Sequence, residues 1–167
     1  MATITLTEFE CDFCRWVGKE RRRLALENRR FQPYGEPPGD LVENDVRGAA
    51  AEYAVHIALR LPWKPLKKTL HDNHRDVSGN EVRSTAWRHG CLLVHDRDCD
   101  SAPFILVTGE MPSLRIVGWL YGRECKRPEF WRHDRPRPAY FVPQKELKDI
   151  GDYLWWAATY RLSISST

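Results

Sequence analysis

Two carboxylates and a guanidinium lie close together near the middle of the chain. Asp76 leads into a short Ser-Gly-Asn turn at residues 78–80, and Glu81 and Arg83 follow in an alternating segment. Side chains two residues apart point to one face of an extended strand, so Glu81 and Arg83 are expected to emerge together. A tight turn can fold Asp76 back beside them. Such a patch suits a divalent metal and a phosphate group, although acids also flank many ordinary hairpins.

A helix upstream can bring a third carboxylate to this patch. Residues 44–61 predict a helix that is capped by Asn44 or Asp45 and ends before a proline. Its apolar residues recur every three or four positions and predict one buried stripe: Val46, Ala50, Tyr53, Ile57 and Leu61. Gly48 and the neighbouring alanines keep the helix surface thin. Glu52 flanks the stripe and could reach toward the sheet, but a solvated glutamate paired with an arginine or histidine is an equal interpretation.

The order of these groups resembles the PD-(D/E)XK superfamily of restriction-endonuclease-like nucleases, and within it small phage-encoded members. The resemblance covers residues 45–150 and rests on the helix glutamate, on the strand aspartate and on Glu-x-Arg. It implies an α/β (α+β) fold with a central mixed β-sheet flanked by helices, preceded by an N-terminal helical arm. It also implies that Mg²⁺ or Mn²⁺ is held by four groups: the side chains of Glu52, Asp76 and Glu81, and the carbonyl of Val82.

Two features depart from that family pattern. Family nucleases usually carry a lysine where this chain has Arg83, and an arginine stays protonated, so it cannot act as a general base. Arg83 could still orient a water or stabilise the phosphate. Lys126 is a candidate for a displaced lysine, and a basic loop explains it equally well. The crossover helix that follows the third strand in the family is not evident here, since residues 109–113 are too short for one.

The predicted function is that of a metal-dependent deoxyribonuclease, either an endonuclease or an exonuclease. The resemblance implies four catalytic residues: Glu52, Asp76, Glu81 and Arg83. The alternative is a catalytically weak or inactive nuclease fold that serves as a nucleic-acid-binding or host-interaction module, which the arginine at position 83 favours. A third possibility is a structural or protein-binding domain whose acids are incidental.

The distribution of basic residues predicts DNA as the partner more clearly than the net charge does. The formal net charge is only +3. One basic cluster lies at residues 21–23 and 29–30, and a second spans residues 123–137, where aromatic residues alternate with basic ones. Basic groups can neutralise phosphates while aromatic rings stack on bases, and single-stranded or branched DNA is among the candidate substrates. The predicted contacts are Arg123, Lys126, Arg127 and Arg132. The alternative is a solvated loop whose Trp131 tucks into the core.

Composition indicates one compact domain without a membrane partner. With 167 residues and 42% hydrophobic content, the chain can build one substantial core. It has no apolar run of about 20 residues and no signal peptide, so a cytoplasmic location is expected, in the host cell if the protein is phage-encoded. The five cysteines are expected to be reduced. A zinc site from Cys11, Cys14, His71 and His74 is disfavoured because the cysteine pair falls within a helical pattern.

The chain divides into an N-terminal arm and an α/β core. Residues 1–40 hold a helix over 7–30 and a breaker-rich linker over 32–40, and residues 41–167 form the core. Extended segments are predicted near 67–70, 80–85, 91–95, 103–108, 114–121 and 140–142. A closing helix is predicted from Pro143, and the acidic run at residues 95–100 is interpreted as a solvated connector. A homodimer is compatible with this organisation.

Overall fold

The computed structural model describes residues 1–27, 38–66, 76–134 and 137–153, and over these ranges the protein is a mixed α/β structure with two sheets. The elements are β1 (Ala2–Thr5), α1 (Glu8–Glu27), α2 (Pro38–Leu59), β2 (Glu81–Thr85), β3 (Leu92–Val94), β4 (Pro103–Glu110), β5 (Ser113–Tyr121), α3 (Gly122–Cys125), β6 (Trp131–Arg132) and β7 (Ala139–Val142). Short 3₁₀ turns at Pro128–Phe130 and Gln144–Glu146 connect the later strands.

The larger sheet contains four strands in the order β1-β5-β4-β2, which confirms the predicted mixed sheet. Strand β2 runs parallel to β4, whereas β4–β5 and β5–β1 are antiparallel. Strands β3, β7 and β6 form a second, antiparallel sheet. The predicted strands near 80–85, 91–95, 103–108, 114–121 and 140–142 each correspond to one of these strands. Strand β1 was missed, because four residues give too short a pattern, and the segment predicted near 67–70 lies outside the described residues.

The four-stranded sheet is covered on both faces. Alternate residues of its strands pack under α2, among them Val82, Ile105 and Ile116. The opposite residues of β4, Phe104 and Leu106, pack against the second sheet. Because both faces of β4 are buried, its sequence is an almost continuous apolar run rather than an alternating one.

Helices α1 and α2 cross at very short range. A Cβ added to Gly18 would lie 2.5 Å from the backbone of Val46, so only glycine fits at this crossing. Ala49, Ala50 and Ala51, which follow Gly48 in α2, are buried, as predicted from its thin surface. Gly48, by contrast, faces open space, so it plays no part in the close packing of α2.

Two helix starts differ from the sequence prediction. Helix α2 begins at Pro38, within the predicted linker, and not at Asn44 or Asp45. Asp45 lies mid-helix, where it pairs with Arg22 of α1 at 2.6 Å. The closing helix begins at residue 150 rather than at Pro143.

Backbone hydrogen bonds explain why the closing helix begins later than predicted. The N–H groups of Trp119 and Lys148 each donate to the other's carbonyl at 3.0 Å, so residue 148 is held in an extended bridge. A Cβ on Gly118 would lie 2.4 Å from the Lys148 carbonyl oxygen, which shows how closely the segment crosses β5. A helix from Pro143 would break this pairing.

The connection between the parallel strands β2 and β4 contains β3 and turns, with no helix in residues 86–102. This agrees with the absence of a crossover helix from the sequence pattern. Within the described ranges, no helix has the length and apolar character needed to cross a membrane. All five cysteines are free, and Cys11 and Cys14 are buried on α1, as expected for a pair within a helix.

Candidate functional site

A two-residue turn brings Asp76 beside β2. The N–H of Val77 donates to the Asn80 carbonyl at 3.2 Å, and the N–H of Asn80 donates back at 3.0 Å. Ser78 and Gly79 have φ angles of +45° and +91°, as the tight primed hairpin turns require. The Asp76 carboxylate then accepts the N–H of Val82 at 2.8 Å. The local sequence therefore folds Asp76 back onto the strand, as predicted.

Two buried polar side chains, those of Asn80 and Tyr153, hold the turn in place. Asn80 is 1% exposed and its amide donates to the Val77 carbonyl at 2.8 Å. Tyr153, from the closing helix, donates its hydroxyl to the Asn80 side chain. These hydrogen bonds hold the turn in place and so fix the positions of Asp76 and Glu81 relative to each other.

Arg83 lies at the centre of three carboxylates. Its Nη1 atom donates to Glu81 Oε2 at 3.1 Å and lies 3.9 Å from Asp76 Oδ2. Its Nη2 atom donates to Asp98 Oδ2 at 3.1 Å, and the guanidinium sits 5.0 Å from the centre of the Phe104 ring. We call Asp76, Glu81, Arg83 and Asp98 the Arg83 cluster. Glu81 and Arg83 do emerge together, as the two-residue period predicted.

Within the four residues of the Arg83 cluster, carboxylates outnumber guanidinium groups. Three carboxylates surround one guanidinium, and the side chains are 15–26% exposed. Burial alone would lower the pKa of Arg83, but the three carboxylates raise it, so the side chain stays protonated. Arg83 therefore cannot accept a proton from water.

Glu52 has a different environment beside this cluster. Both of its carboxylate oxygens accept hydrogen bonds from Arg21 of α1, at 2.8 and 2.6 Å, and Oε2 also accepts the indole N–H of Trp63 at 2.7 Å. Burial raises the pKa of Glu52, with Arg21 opposing that shift and the nearby charge of Asp76 adding to it. The effect of Asp76 shows that the two carboxylates are electrostatic neighbours. Glu52 is thus paired with an arginine, although buried rather than solvated.

The predicted triad is therefore only partly assembled. Asp76 and Glu81 converge on Arg83, whereas both oxygens of Glu52 are occupied by Arg21 and Trp63. Across residues 1–27, 38–66, 76–134 and 137–153, no three His, Cys, Asp or Glu side chains are arranged to hold a metal ion. The oxygen atoms on Asp76, Glu81 and the Val82 carbonyl are of the type that Mg²⁺ binds.

Lys126 is held by the loop that carries Asp98. Its ammonium donates to the carbonyls of Asp96 and Asp98 and pairs with the Asp100 carboxylate, each at 2.6 Å. Desolvation would lower the pKa of Lys126, but the hydrogen bond to Asp100 and the charges of Asp96, Asp98 and Asp100 together raise it. Lys126 therefore stabilises the 96–100 loop, and in this arrangement it is no substitute for a catalytic lysine.

The other three predicted DNA contacts differ in how firmly they are held. Arg127 pairs with Glu146 at 2.6 Å and lies 4.2 Å from the centre of the Phe130 ring. The guanidinium of Arg123 lies 4.8 Å from the centre of the Tyr121 ring. Arg132 is exposed on β6. Among the four, Arg132 is the side chain most available to a phosphate.

Sequence reasoning missed three residues that shape the site. Asp98 belongs to the acidic run that was interpreted as a solvated connector, yet it turns inward to Arg83 and also accepts the N–H of His95 at 2.9 Å. Arg21 and Trp63 were missed because their contact with Glu52 is made between segments that are distant in the chain. The concentration of three aspartates at residues 96–100 was the one available signal.

Comparisons of the chain with protein-family models, with curated proteins and with solved structures gave no significant match.

Proposed function

We propose that this protein is a divalent-metal-dependent phosphodiester hydrolase that acts on DNA. One observation carries the proposal: Glu81 Oε2, the Val82 carbonyl and Asp76 Oδ2 lie 3.1, 3.4 and 3.9 Å from a single positive atom, Arg83 Nη1. These are the three oxygens that the resemblance to PD-(D/E)XK nucleases implies as metal ligands beside Glu52. Their convergence on one cationic atom supports a cation-binding position at the start of β2.

The donor set fits a hard cation such as Mg²⁺ or Mn²⁺. Two carboxylates and a main-chain carbonyl supply oxygen ligands, and all three lie close to the guanidinium of Arg83. Bound there, the metal would supply a Lewis acid that neutralises phosphate charge and lowers the pKa of a water molecule. Glu52, at 6% exposure, has both carboxylate oxygens bonded to Arg21 and so holds Arg21 in place.

Arg83 is suited to hold the substrate phosphate rather than to move a proton. A guanidinium can donate two parallel hydrogen bonds to a phosphate, and this contact would draw Nη1 away from the carboxylates. Nη2 remains anchored on Asp98 at 3.1 Å, so the side chain can pivot without leaving the site. Phosphate bound by Arg83 would free the three oxygens for the metal, and metal bound by the oxygens would free Arg83 for the phosphate. Substrate and metal binding would therefore favour each other.

A second candidate is a nuclease-fold module that binds nucleic acid without cutting it. The observation that favours it is the position of Arg83 Nη1, which already occupies the point on which the three oxygens converge. If the arginine stays there with substrate bound, the carboxylates are neutralised by the protein itself and no metal enters.

Calorimetric titration with Mn²⁺ and Mg²⁺ followed by a DNA-nicking assay tests the proposal. We expect wild type to bind metal, and Glu81→Gln to weaken binding by at least tenfold. Glu110→Gln is the matched control, because Glu110 is exposed at the opposite end of the same parallel strand pair. Cleavage should require metal and stop in EDTA. Metal affinity that is indifferent to Glu81→Gln would refute the site, and DNA binding without metal or cleavage would favour the second candidate.

A further inference from the structure

The turn that follows β2 presents an exposed tryptophan. Trp87 is 80% exposed, and its neighbours Arg88 and His89 are exposed as well. We call residues 86–90 the Trp87 turn. At 80% exposure, both faces of the indole ring can be reached from solvent.

The Trp87 turn is held firmly at its base. The N–H of Gly90 donates to the Trp87 carbonyl at 3.0 Å, and the N–H of Trp87 donates to Thr85 Oγ1 at 3.2 Å. A Cβ on Gly90 would lie 2.4 Å from Thr85 Cγ2, so the turn is packed tightly against the end of β2. Trp87 therefore projects from an ordered base.

Two side chains from other elements fix the outer half of the turn. Gln144 donates its amide to the carbonyls of Arg88 and Gly90, at 2.8 and 2.9 Å. Arg115 donates to the same Arg88 carbonyl and to Gln144 Oε1. These contacts satisfy the backbone and leave the Trp87 ring and the Arg88 guanidinium directed to solvent.

The charge of this region favours an anionic partner. Arg88 lies next to Trp87 and is exposed, and residues 82–95 contain no aspartate or glutamate. Arg115, which holds the turn, adds a further positive charge. An exposed indole beside cationic groups on a rigid turn matches the requirements of a nucleobase and its phosphate.

We propose that the Trp87 turn binds single-stranded nucleic acid, with the Trp87 indole stacked on a base and Arg88 paired with an adjacent phosphate. The inference rests on the proposed function only for the class of ligand. Trp87 lies six positions after Glu81, which is at most about 20 Å along an extended strand. The turn would therefore contact the substrate a few nucleotides away from the Arg83 cluster and would restrict it to DNA with unpaired bases.

Fluorescence anisotropy in EDTA tests the proposal independently of metal binding and cleavage. The probes are a labelled oligothymidylate and a labelled strand of equal length whose residues are all abasic. Trp87→Ala should weaken oligothymidylate binding by about tenfold or more and leave abasic-strand binding unchanged, because only the base is lost from the contact. Trp87→Phe should retain most of the affinity. Arg88→Gln should weaken both probes.

Trp16→Ala is the matched control, because Trp16 is another exposed tryptophan (53%) and lies on α1. It should bind both probes as wild type does. The inference is overturned if Trp87→Ala binds oligothymidylate like wild type, or if wild type binds neither probe. It is also overturned if Trp87→Ala abolishes self-association instead, since the turn would then be a protein interface. If wild type shows Trp87-dependent binding but no metal-dependent cleavage, the proposed function is refuted and the inference about the Trp87 turn stands.

Discussion

The Arg21–Glu52 pair and the Arg83 cluster both join arginine to carboxylate, but they differ in charge balance. Arg21 donates hydrogen bonds to both carboxylate oxygens of Glu52, and the indole N–H of Trp63 donates to one of them. The Glu52 side chain is 8% exposed. Arg83 is shared among three carboxylates at 3.1 to 3.9 Å, in side chains that are 15–26% exposed. The first contact is neutral and closed, so it stabilises the fold. In the second contact three carboxylates share one guanidinium and the side chains are partly exposed, which is why we propose it as the cation site.

Removing Arg21 should produce the largest effect on stability. Arg21→Ala leaves the buried Glu52 carboxylate without its partner, and we expect a loss of about 3 kcal/mol in the free energy of unfolding. Urea denaturation in metal-free buffer measures it. Arg23→Ala is the control on the same helix, because Arg23 pairs with Glu20 and Glu27 at the surface and should change little.

A double variant separates charge from packing in the same pair. Arg21→Met with Glu52→Gln removes both charges, and the glutamine carbonyl can still accept the Trp63 N–H. We expect much of the lost stability to return. If the double variant is no more stable than Arg21→Ala, the loss reflects packing, and the electrostatic contrast between the two regions is wrong.

Arg83 should affect cleavage far more than metal binding. Arg83→Ala is expected to lower the cleavage rate on the order of a hundredfold, the scale for loss of one charge-stabilising donor. Its metal affinity should be retained or increased, because Nη1 no longer competes for the three oxygens. Arg83→Lys should keep or increase cleavage. Parallel calorimetry and single-turnover cleavage measure the two effects separately. Equal losses of metal affinity and cleavage rate would contradict the proposal that Arg83 holds the phosphate and does not support the metal.

Removing Glu81 should distinguish the Arg83 cluster from the Arg21 pair in stability. Glu81→Ala takes away one of three like charges, so metal-free protein should be as stable as wild type or slightly more stable. Wild type should gain thermal stability when Mn²⁺ is added, and the variant should not. A large destabilisation without metal would mean that Glu81 serves the fold, as Glu52 does.

The smallest expected effect concerns salt dependence. Arg132 is exposed, so Arg132→Ala should make the slope of log affinity against log salt shallower by about one unit or slightly less. Lys126→Ala should change that slope less, because its ammonium is occupied by the 96–100 loop. Equal changes for both variants would indicate that Lys126 leaves its loop to contact DNA.

The predictions from sequence were most successful where the interaction is local. The Ser78–Gly79 turn needs positive φ angles, and glycine and short polar residues supply them, so the return of Asp76 to β2 could be foreseen. The apolar stripe of α2 was less accurate. Ile57 is 36% exposed, whereas Ala51, Ala54 and Val55 are buried, because α2 is covered by both α1 and the sheet. A single apolar stripe predicts one buried side, so it cannot describe a helix that is packed on two sides.

The sequence by itself determined the mixed α/β class, most of the strands and the shared face of Glu81 and Arg83, because these depend on backbone conformation over a few residues. The tertiary structure decided which charges meet. Arg21 reaches Glu52 across 31 positions and Asp98 reaches Arg83 across 15, and neither contact leaves a periodic trace in the sequence. It also decided that Trp87 is exposed while Trp131 packs against Tyr140 at 4.7 Å between ring centres. Burial of an aromatic ring depends on which distant element covers it, and only the folded chain supplies that element.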